Sequence, residues 1–130
     1  MATLPDSHVD LLERETFAAL GTVMPDGTPH ITPVWVDHDG DDVLVNTATG
    51  RQKERNLRRT PRAGVMVYDP DDPYRYLSVV GSAAEMTTAG AVEHIHELSR
   101  RYTGEEYGNL DGEDGDRVVV RIRPERVLTG

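Results

Sequence analysis

The chain has 130 residues, a length typical of one domain, and its 23 acidic and 14 basic side chains give a formal net charge of −9. Nucleic-acid binding needs a face with excess positive charge, so this balance argues against a DNA or RNA partner. The sequence has no cysteine, which excludes disulfides and thiolate metal sites, and no apolar run reaches the roughly 20 residues of a membrane helix.

The first half of the chain predicts a short helix followed by three strands. The opening residues lack the basic and apolar stretches of a secretory signal, so we expect a cytoplasmic protein. A helix is predicted at 8–15, and strands are predicted at 17–24, 30–37 and 42–47. The segment PDGTP predicts a turn after the first strand, and Asp39-Gly40 predicts a hairpin between the second and the third.

The second half predicts two helices among three longer strands. The helices are predicted at 50–59 and 88–102, and the strands at 63–69, 74–87 and 117–128. Thr49 and Gln52 have the spacing of a capping box at the start of the first helix. Gly81 indicates a bulge or a close backbone contact within its strand, and Gly104 predicts the end of the last helix.

Six strands and three helices in this order do not alternate as the strands and helices of a parallel sheet do. The order therefore predicts a mostly antiparallel sheet or a small β-barrel, with the helices at its edges. No repeat or linker interrupts the sequence, so residues 1–130 are expected to form a single domain.

Acidic residues are concentrated in the segments DHDGDD, DPDDP and DGEDGD, and arginine outnumbers lysine thirteen to one. This combination is typical of a halophile-type acidic surface, and a GC-rich genome is the alternative explanation. The segments lack the spacing and the terminal Glu of a calcium loop, so they predict acidic turns. The five histidines show no ligand spacing, and no metal site is expected.

The cationic segment, TATGRQKERNLRR at residues 47–59, is exceptional in this acidic chain. It contains Arg51, Lys53, Arg55, Arg58 and Arg59, and Lys53 is the only lysine in the sequence. On a helix that begins near Gly50, the first of these cations lie beside unpaired N–H groups, where the helix dipole disfavours positive charge. A bound anion would offset this cost, so the segment predicts a phosphate site. The alternative is a solvated arginine face.

The segment ITPVWV places the only tryptophan near a proline in the middle of a predicted strand. Pro33 has no N–H to donate to a neighbouring strand, so this strand must be exposed or distorted there. Such a strand offers its backbone to a flat ring. The alternative interpretation is that Trp35 is an ordinary core aromatic.

The segments GTVMPDGTPHITPVWV, TATGRQKERNLRRTPR and PYRYLSVVG, in this order, resemble the split β-barrel flavin and deazaflavin proteins, which are relatives of pyridoxamine 5′-phosphate oxidase. The similarity extends from about Ala19 to the closing RVVVRIRPERVL, and within this group the chain is most similar to the small F420-dependent enzymes. The resemblance implies a six-stranded antiparallel split β-barrel of the FMN-binding type. It also implies a homodimer with the cofactor in a groove between the subunits.

The resemblance further implies which residues bind the cofactor. Six residues of the cationic segment would hold its phosphate end, namely Thr47, Thr49, Arg51, Lys53, Arg55 and Asn56. Pro33, Val34 and Trp35 would lie beside its ring system, mainly through their backbone. Tyr74, Arg75 and Tyr76 would approach it from the other subunit.

The activity implied is that of an oxidoreductase that uses coenzyme F420 for hydride transfer to an unidentified small molecule. FMN in the same fold is the alternative cofactor, and a non-catalytic carrier of flavin or heme is the alternative function. The sequence lacks the C-terminal substrate-binding segments of pyridoxamine phosphate oxidases, which argues against pyridoxine metabolism. Because the cofactor itself performs hydride transfer, no catalytic side chain is predicted.

Overall fold

The computed structural model describes residues 2–108, 110 and 115–130. The strands are β1 (Ala18–Val23), β2 (Pro29–Val34), β3 (Asp37–Asp39), β4 (Asp42–Ala48), β5 (Arg62–Asp69), β6 (Asp72–Thr87) and β7 (Arg117–Thr129). The helices are α1 (Gln52–Arg59) and α2 (Ala91–Thr103), and a 3-10 helix covers Val9–Leu12. Of the predicted acidic turn DGEDGD, residues 111–114 lie outside the described part of the chain.

The strands of the described residues form one antiparallel sheet in the order β2-β1-β5-β6-β7-β4-β3. Its two edge strands, β2 and β3, are consecutive in the chain, and only Trp35 and Val36 separate them. Because so short a connection spans only about 10 Å, the two edges of the sheet must meet there. The sheet is therefore rolled into a barrel, which confirms the mainly β, antiparallel prediction.

The described residues form seven strands where the sequence predicted six, because the predicted strand 30–37 is interrupted. The backbone N–H of Val36 donates to the Tyr102 hydroxyl at 3.1 Å, so a side chain on α2 takes the place of a neighbouring strand. The predicted Asp39-Gly40 hairpin is present, but it joins β3 to β4. The predicted helix 8–15 is also shorter than expected, and the other elements shift at their ends by at most three residues.

Helix α1 begins at Gln52 with Arg51 as its N-cap, so the predicted capping box between Thr49 and Gln52 is wrong. The Glu54 carboxylate instead reaches back and accepts the Gly50 N–H at 2.9 Å. A carboxylate in the first turn is favoured both by this hydrogen bond and by the helix dipole. The helix thus begins two residues later than the capping pattern indicated.

The barrel interior is filled mainly by leucine, valine and isoleucine side chains from alternating strand positions. Leu57 of α1 is 1 % exposed and packs with this core. At Gly81 the pairing of β6 with β7 shifts register, and a Cβ there would lie 2.0 Å from the Arg123 carbonyl oxygen. The predicted bulge and close backbone contact are therefore both present at Gly81.

Several acids of the segment DHDGDD are paired with arginines. Asp37 accepts a hydrogen bond from Arg101 at 2.8 Å, and Arg121 bridges Asp39 at 2.9 Å and Asp42 at 3.0 Å. These pairs link the β3–β4 hairpin to α2 and β7. The acidic turn predicted here is therefore partly neutralised by the fold.

Candidate functional site

A cleft of about 180 Å³ opens where the end of β2 meets the start of α1 and the start of β7. One side of its lining is apolar and aromatic, and the other side carries an amide and three cations. The lining residues are Phe17, Pro33, Val34, Trp35, Asn46, Arg51, Lys53, Ile95, Leu98, Tyr107 and Arg117. The sequence-predicted residues among them are Pro33, Val34, Trp35, Arg51 and Lys53.

The three cations of the cleft are close enough to affect one another. Burial, followed by the positive charges of Arg51 and Arg117, lowers the pKa of the Lys53 ammonium. Within the described residues, Lys53 forms no ion pair. A bound anion would supply the opposite charge that this ammonium lacks, and it would raise the Lys53 pKa again.

Arg117 is a site residue that the sequence reasoning missed. It is only 4 % exposed, its Nε donates to Asn46 Oδ1 at 2.9 Å, and its guanidinium carbon lies 5.1 Å from the centre of the Tyr107 ring. The antiparallel pairing of β7 with β4 places Arg117 opposite Ala48, at the entrance to the cationic segment. No local pattern in the sequence signals this position, because it depends on the pairing of two distant strands.

Aromatic side chains form the wall of the cleft next to β2. Trp35 stacks on Tyr102 with ring centres 5.3 Å apart, and Tyr107 meets the Trp35 ring edge-on at 6.3 Å. Phe17 is 59 % exposed and packs edge-on against Tyr102 at 5.6 Å. Trp35 therefore belongs to an aromatic cluster at the cleft, and Phe17 and Tyr107 extend that cluster beyond the residues predicted from sequence.

Two predicted phosphate-binding residues have side chains that point elsewhere. Arg55 donates to the Gly50 carbonyl at 2.6 Å and to Gln52 Oε1 at 2.7 Å, on the exposed side of α1. Asn56 is fully buried, and its amide donates to Thr22 Oγ1 at 3.0 Å. Within the described residues, neither side chain lines the cleft.

The two predicted threonines lie near the cleft but are not among its described lining residues. Thr47 is 1 % exposed, and its Oγ1 has no hydrogen-bond partner among the described residues. Thr49 is held through its backbone, since its N–H donates to the Asp116 carbonyl at 2.9 Å. On β4 the Thr47 side chain points to the opposite face from that of Asn46, which lines the cleft, so the Thr47 hydroxyl lies on the core side of the strand with Val43 and Val45.

Residues 4–129 match the family described as pyridoxamine 5′-phosphate oxidase. The chain belongs to this family. The resemblance noted in the sequence is thereby confirmed, together with the split-barrel fold.

Solved structures support the same assignment. A protein named F420 reductase is 34 % identical, with a TM-score of 0.85 over 96 % of this chain and 98 % of that one. A conserved hypothetical protein from Mycobacterium tuberculosis is 29 % identical, with a TM-score of 0.72 over 96 % and 83 % of the two chains. General stress protein 26 from Bacillus anthracis is 18 % identical, with a TM-score of 0.70 over 94 % and 89 %, and shares the fold.

Three residues, Tyr74, Arg75 and Tyr76, are predicted to approach the cofactor from the second subunit. Tyr74 is 86 % exposed, and the Arg75 guanidinium forms ion pairs with Asp10 and, at 3.3 Å, with Asp69. Together with Tyr76 they lie on the first part of β6, and none of them is among the described residues that line the cleft. Their approach to a partner's cofactor therefore stays a prediction.

No described helix has the length and apolar character needed to cross a membrane. No group of three or more His, Asp or Glu side chains in the described part of the chain has a geometry suited to a metal ion.

Proposed function

We propose that this family member is an oxidoreductase that binds coenzyme F420 and uses it for hydride transfer to a small-molecule substrate. The observation that carries the proposal is the convergence of Arg51, Lys53 and Arg117 on one cleft beside Trp35. Support comes from the structure named F420 reductase, which is 34 % identical over nearly the whole of both chains. FMN in the same cleft is the alternative cofactor, and a cytoplasmic location remains part of the proposal.

The residues present suit a phosphate-bearing cofactor with a flat ring. Lys53 carries a positive charge that burial and its neighbours make unfavourable until an anion is near. When bound, a deazaflavin supplies the hydride that the reaction transfers.

The chain's own residues would hold, orient and shield the cofactor. Arg51, Lys53 and Arg117 would bind its phosphate through charge-assisted hydrogen bonds. The β2 end at Pro33 has no N–H to donate, which leaves a backbone surface for a ring next to Trp35. Apolar side chains from α2 in the cleft lining would keep water from the ring.

A second copy of the chain is part of the proposal, because the cleft is too small to enclose such a cofactor. Its volume of about 180 Å³ lies below the roughly 300–1,000 Å³ of typical small-molecule sites. The outer face of the sheet carries the cross-strand row Ile31, Gly21, Gly64 and Val80, in which Ile31 is 65 % exposed. We expect this apolar face to pack against the same face of a second subunit, which would complete the site.

Titration of the purified protein with coenzyme F420 and with FMN tests the cofactor. The only tryptophan lines the cleft, so quenching of Trp35 fluorescence reports binding directly. We expect saturable quenching by both cofactors, with a lower Kd for F420. A lower Kd for FMN would reject F420 as the cofactor, and binding without turnover of any reducible substrate would favour a carrier.

Light scattering tests the second copy. We expect a dimer at micromolar protein, and we expect Ile31→Glu to dissociate it and to weaken cofactor binding together. Val92→Glu is the matched control, because Val92 is an exposed apolar residue on α2 instead of on the outer sheet face. A monomeric wild-type protein would reject the shared site, and with it the role implied for Tyr74, Arg75 and Tyr76.

A further inference from the structure

A chain of hydrogen bonds runs from the cleft into the space between α2 and the sheet. Arg117 Nε donates to Asn46 Oδ1 at 2.9 Å. The Asn46 amide nitrogen lies 2.9 Å from the Ala91 carbonyl oxygen and 3.1 Å from His94 Nδ1. His94 Nε2 in turn lies 3.2 Å from Asp37 Oδ2. These hydrogen bonds thus connect a cation of the cleft to the ion pair of Asp37 with Arg101, which lies further along the same face of α2.

The donors and acceptors on either side of Asn46 determine the orientation of its amide and of the His94 ring. A guanidinium only donates, so the side-chain oxygen of Asn46 must face Arg117. A backbone carbonyl only accepts, so the Asn46 NH₂ must face Ala91, and its second hydrogen points at His94 Nδ1. That nitrogen is therefore the unprotonated one, and the proton of the neutral ring sits on Nε2, which donates to Asp37.

Asp37, at the far end of the hydrogen-bond chain, is a stable acceptor. Burial alone would raise the pKa of the Asp37 carboxyl, but hydrogen bonds from His94 and Arg101 outweigh it and hold that pKa well below its usual range. Asp37 on β3 is paired with Arg101 on α2, and Asn46 links the other side of the His94 ring to Arg117 on β7. The His94 ring therefore lies between an ionised acceptor and an amide donor.

We propose that Asn46 is a positioning residue for anion binding, which holds the Arg117 guanidinium in the cleft and is itself held by His94 Nδ1. Turning the Asn46 amide over would place its NH₂ against Arg117 Nε–H and its oxygen against the Ala91 carbonyl oxygen. Only one orientation of the amide therefore satisfies both neighbours, and the His94 acceptor helps to fix it. This inference rests on the proposed function of the cleft.

The first test is independent of any cofactor. In the protein labelled with ¹⁵N, we expect the His94 ring at about pH 7.5 to show an unprotonated Nδ1 and a protonated Nε2. We also expect a slowly exchanging Arg117 Nε–H signal that is lost in Asn46→Leu. A protonated Nδ1, or an Arg117 signal unchanged by Asn46→Leu, would overturn the proposal.

The second test measures affinity for coenzyme F420 at about pH 8. We expect Asn46→Leu to weaken binding about tenfold, comparable to the loss of one hydrogen bond to a charged group. His94→Gln retains an acceptor for Asn46 and a donor for Asp37, so it should bind like wild type.

His8→Gln is the matched control, because His8 lies at the protein surface with its Nε2 2.9 Å from the Gly130 carbonyl oxygen. It should bind like wild type. Wild-type affinity in Asn46→Leu with an unchanged melting temperature would overturn the positioning role, as would a tenfold loss of affinity in His94→Gln. If wild type binds neither F420 nor FMN, the proposed function fails, and the two NMR signals alone decide the positioning role.

Discussion

Replacing Lys53 by methionine is expected to separate cofactor binding from stability. Methionine keeps the long apolar stem of lysine and removes its charge. In the cofactor-free protein, burial and the charges of Arg51 and Arg117 lower the Lys53 pKa, so the protonated form is disfavoured by folding. We therefore expect the free energy of unfolding to rise in Lys53→Met at neutral pH.

The same change should weaken cofactor binding. A hydrogen bond to a charged group contributes about 1.5–3 kcal/mol, which corresponds to an increase in Kd of about 10- to 150-fold. The two effects have opposite signs because the anion turns an unfavourable ammonium into a favourable one. A residue selected for stability alone would not show this reversal.

The stability gain has a defined pH dependence. Because the folded-state pKa of Lys53 lies below its ordinary value of 10.5, the protonated ammonium destabilises the folded protein to its full extent at neutral pH. This destabilisation decreases as the pH rises through the folded-state pKa and is absent above 10.5. Urea unfolding of cofactor-free wild type and Lys53→Met at several pH values should show the two stabilities converging at high pH.

Arg55→Met provides the matched control in the same helix. It removes one positive charge from the cationic segment, but the Arg55 side chain is directed at Gly50 and Gln52 instead of the cleft. We expect its Kd to change less than about threefold, as for an exposed surface charge. Equal losses of affinity in Arg55→Met and Lys53→Met would refute the conclusion that Lys53 binds the anion and Arg55 does not. Wild-type affinity in Lys53→Met would refute the anion site.

Four further experiments test the fold and the surface charge. Tyr102→Phe should lower the free energy of unfolding in urea by about 1–3 kcal/mol, because it leaves the buried Val36 N–H and the Thr16 carbonyl without the hydroxyl that pairs them. A smaller loss would mean that water replaces the hydroxyl. Gly81→Ala should lower stability by more than about 2 kcal/mol, since its Cβ would lie 2.0 Å from a backbone oxygen, whereas Gly108→Ala meets nothing within 4 Å and should be neutral. Burial lowers the pKa of His38, but hydrogen bonds from its ring to Glu13 and to a backbone carbonyl outweigh it and raise that pKa. The stability contribution is therefore complete below the unfolded value of 6.5 and lost as the pH rises through the folded-state pKa, so His38→Gln should cost up to about 1 kcal/mol at acidic pH and less above it. Finally, the net charge of −9 predicts a melting temperature that rises from dilute to molar KCl, and a flat or falling profile would count against a halophile-type surface.

The elements that sequence reasoning located correctly are those with local causes. Turn chemistry at PDGTP, the glycine after α2 and the β-branched runs of β5 to β7 each depend on neighbouring residues, and each appears where predicted. The interruption of the predicted strand after Val34 was missed for the opposite reason. The hydroxyl that captures the Val36 N–H belongs to Tyr102, which is 66 residues away in the chain.

The residues of the candidate site can likewise be separated into those that the sequence predicted and those that only the structure revealed. The sequence by itself predicted a phosphate site at the cationic segment, because several cations at a helix start are unfavourable without a bound anion. Only the tertiary structure decided which of them share the cleft: it directs Lys53 inward and Arg55 back to the Gly50 carbonyl. It also adds Arg117, which the pairing of β4 with β7 brings to Asn46 from 71 residues away. Charge is a property that composition reveals, whereas the direction of a side chain depends on packing partners that are distant in the sequence.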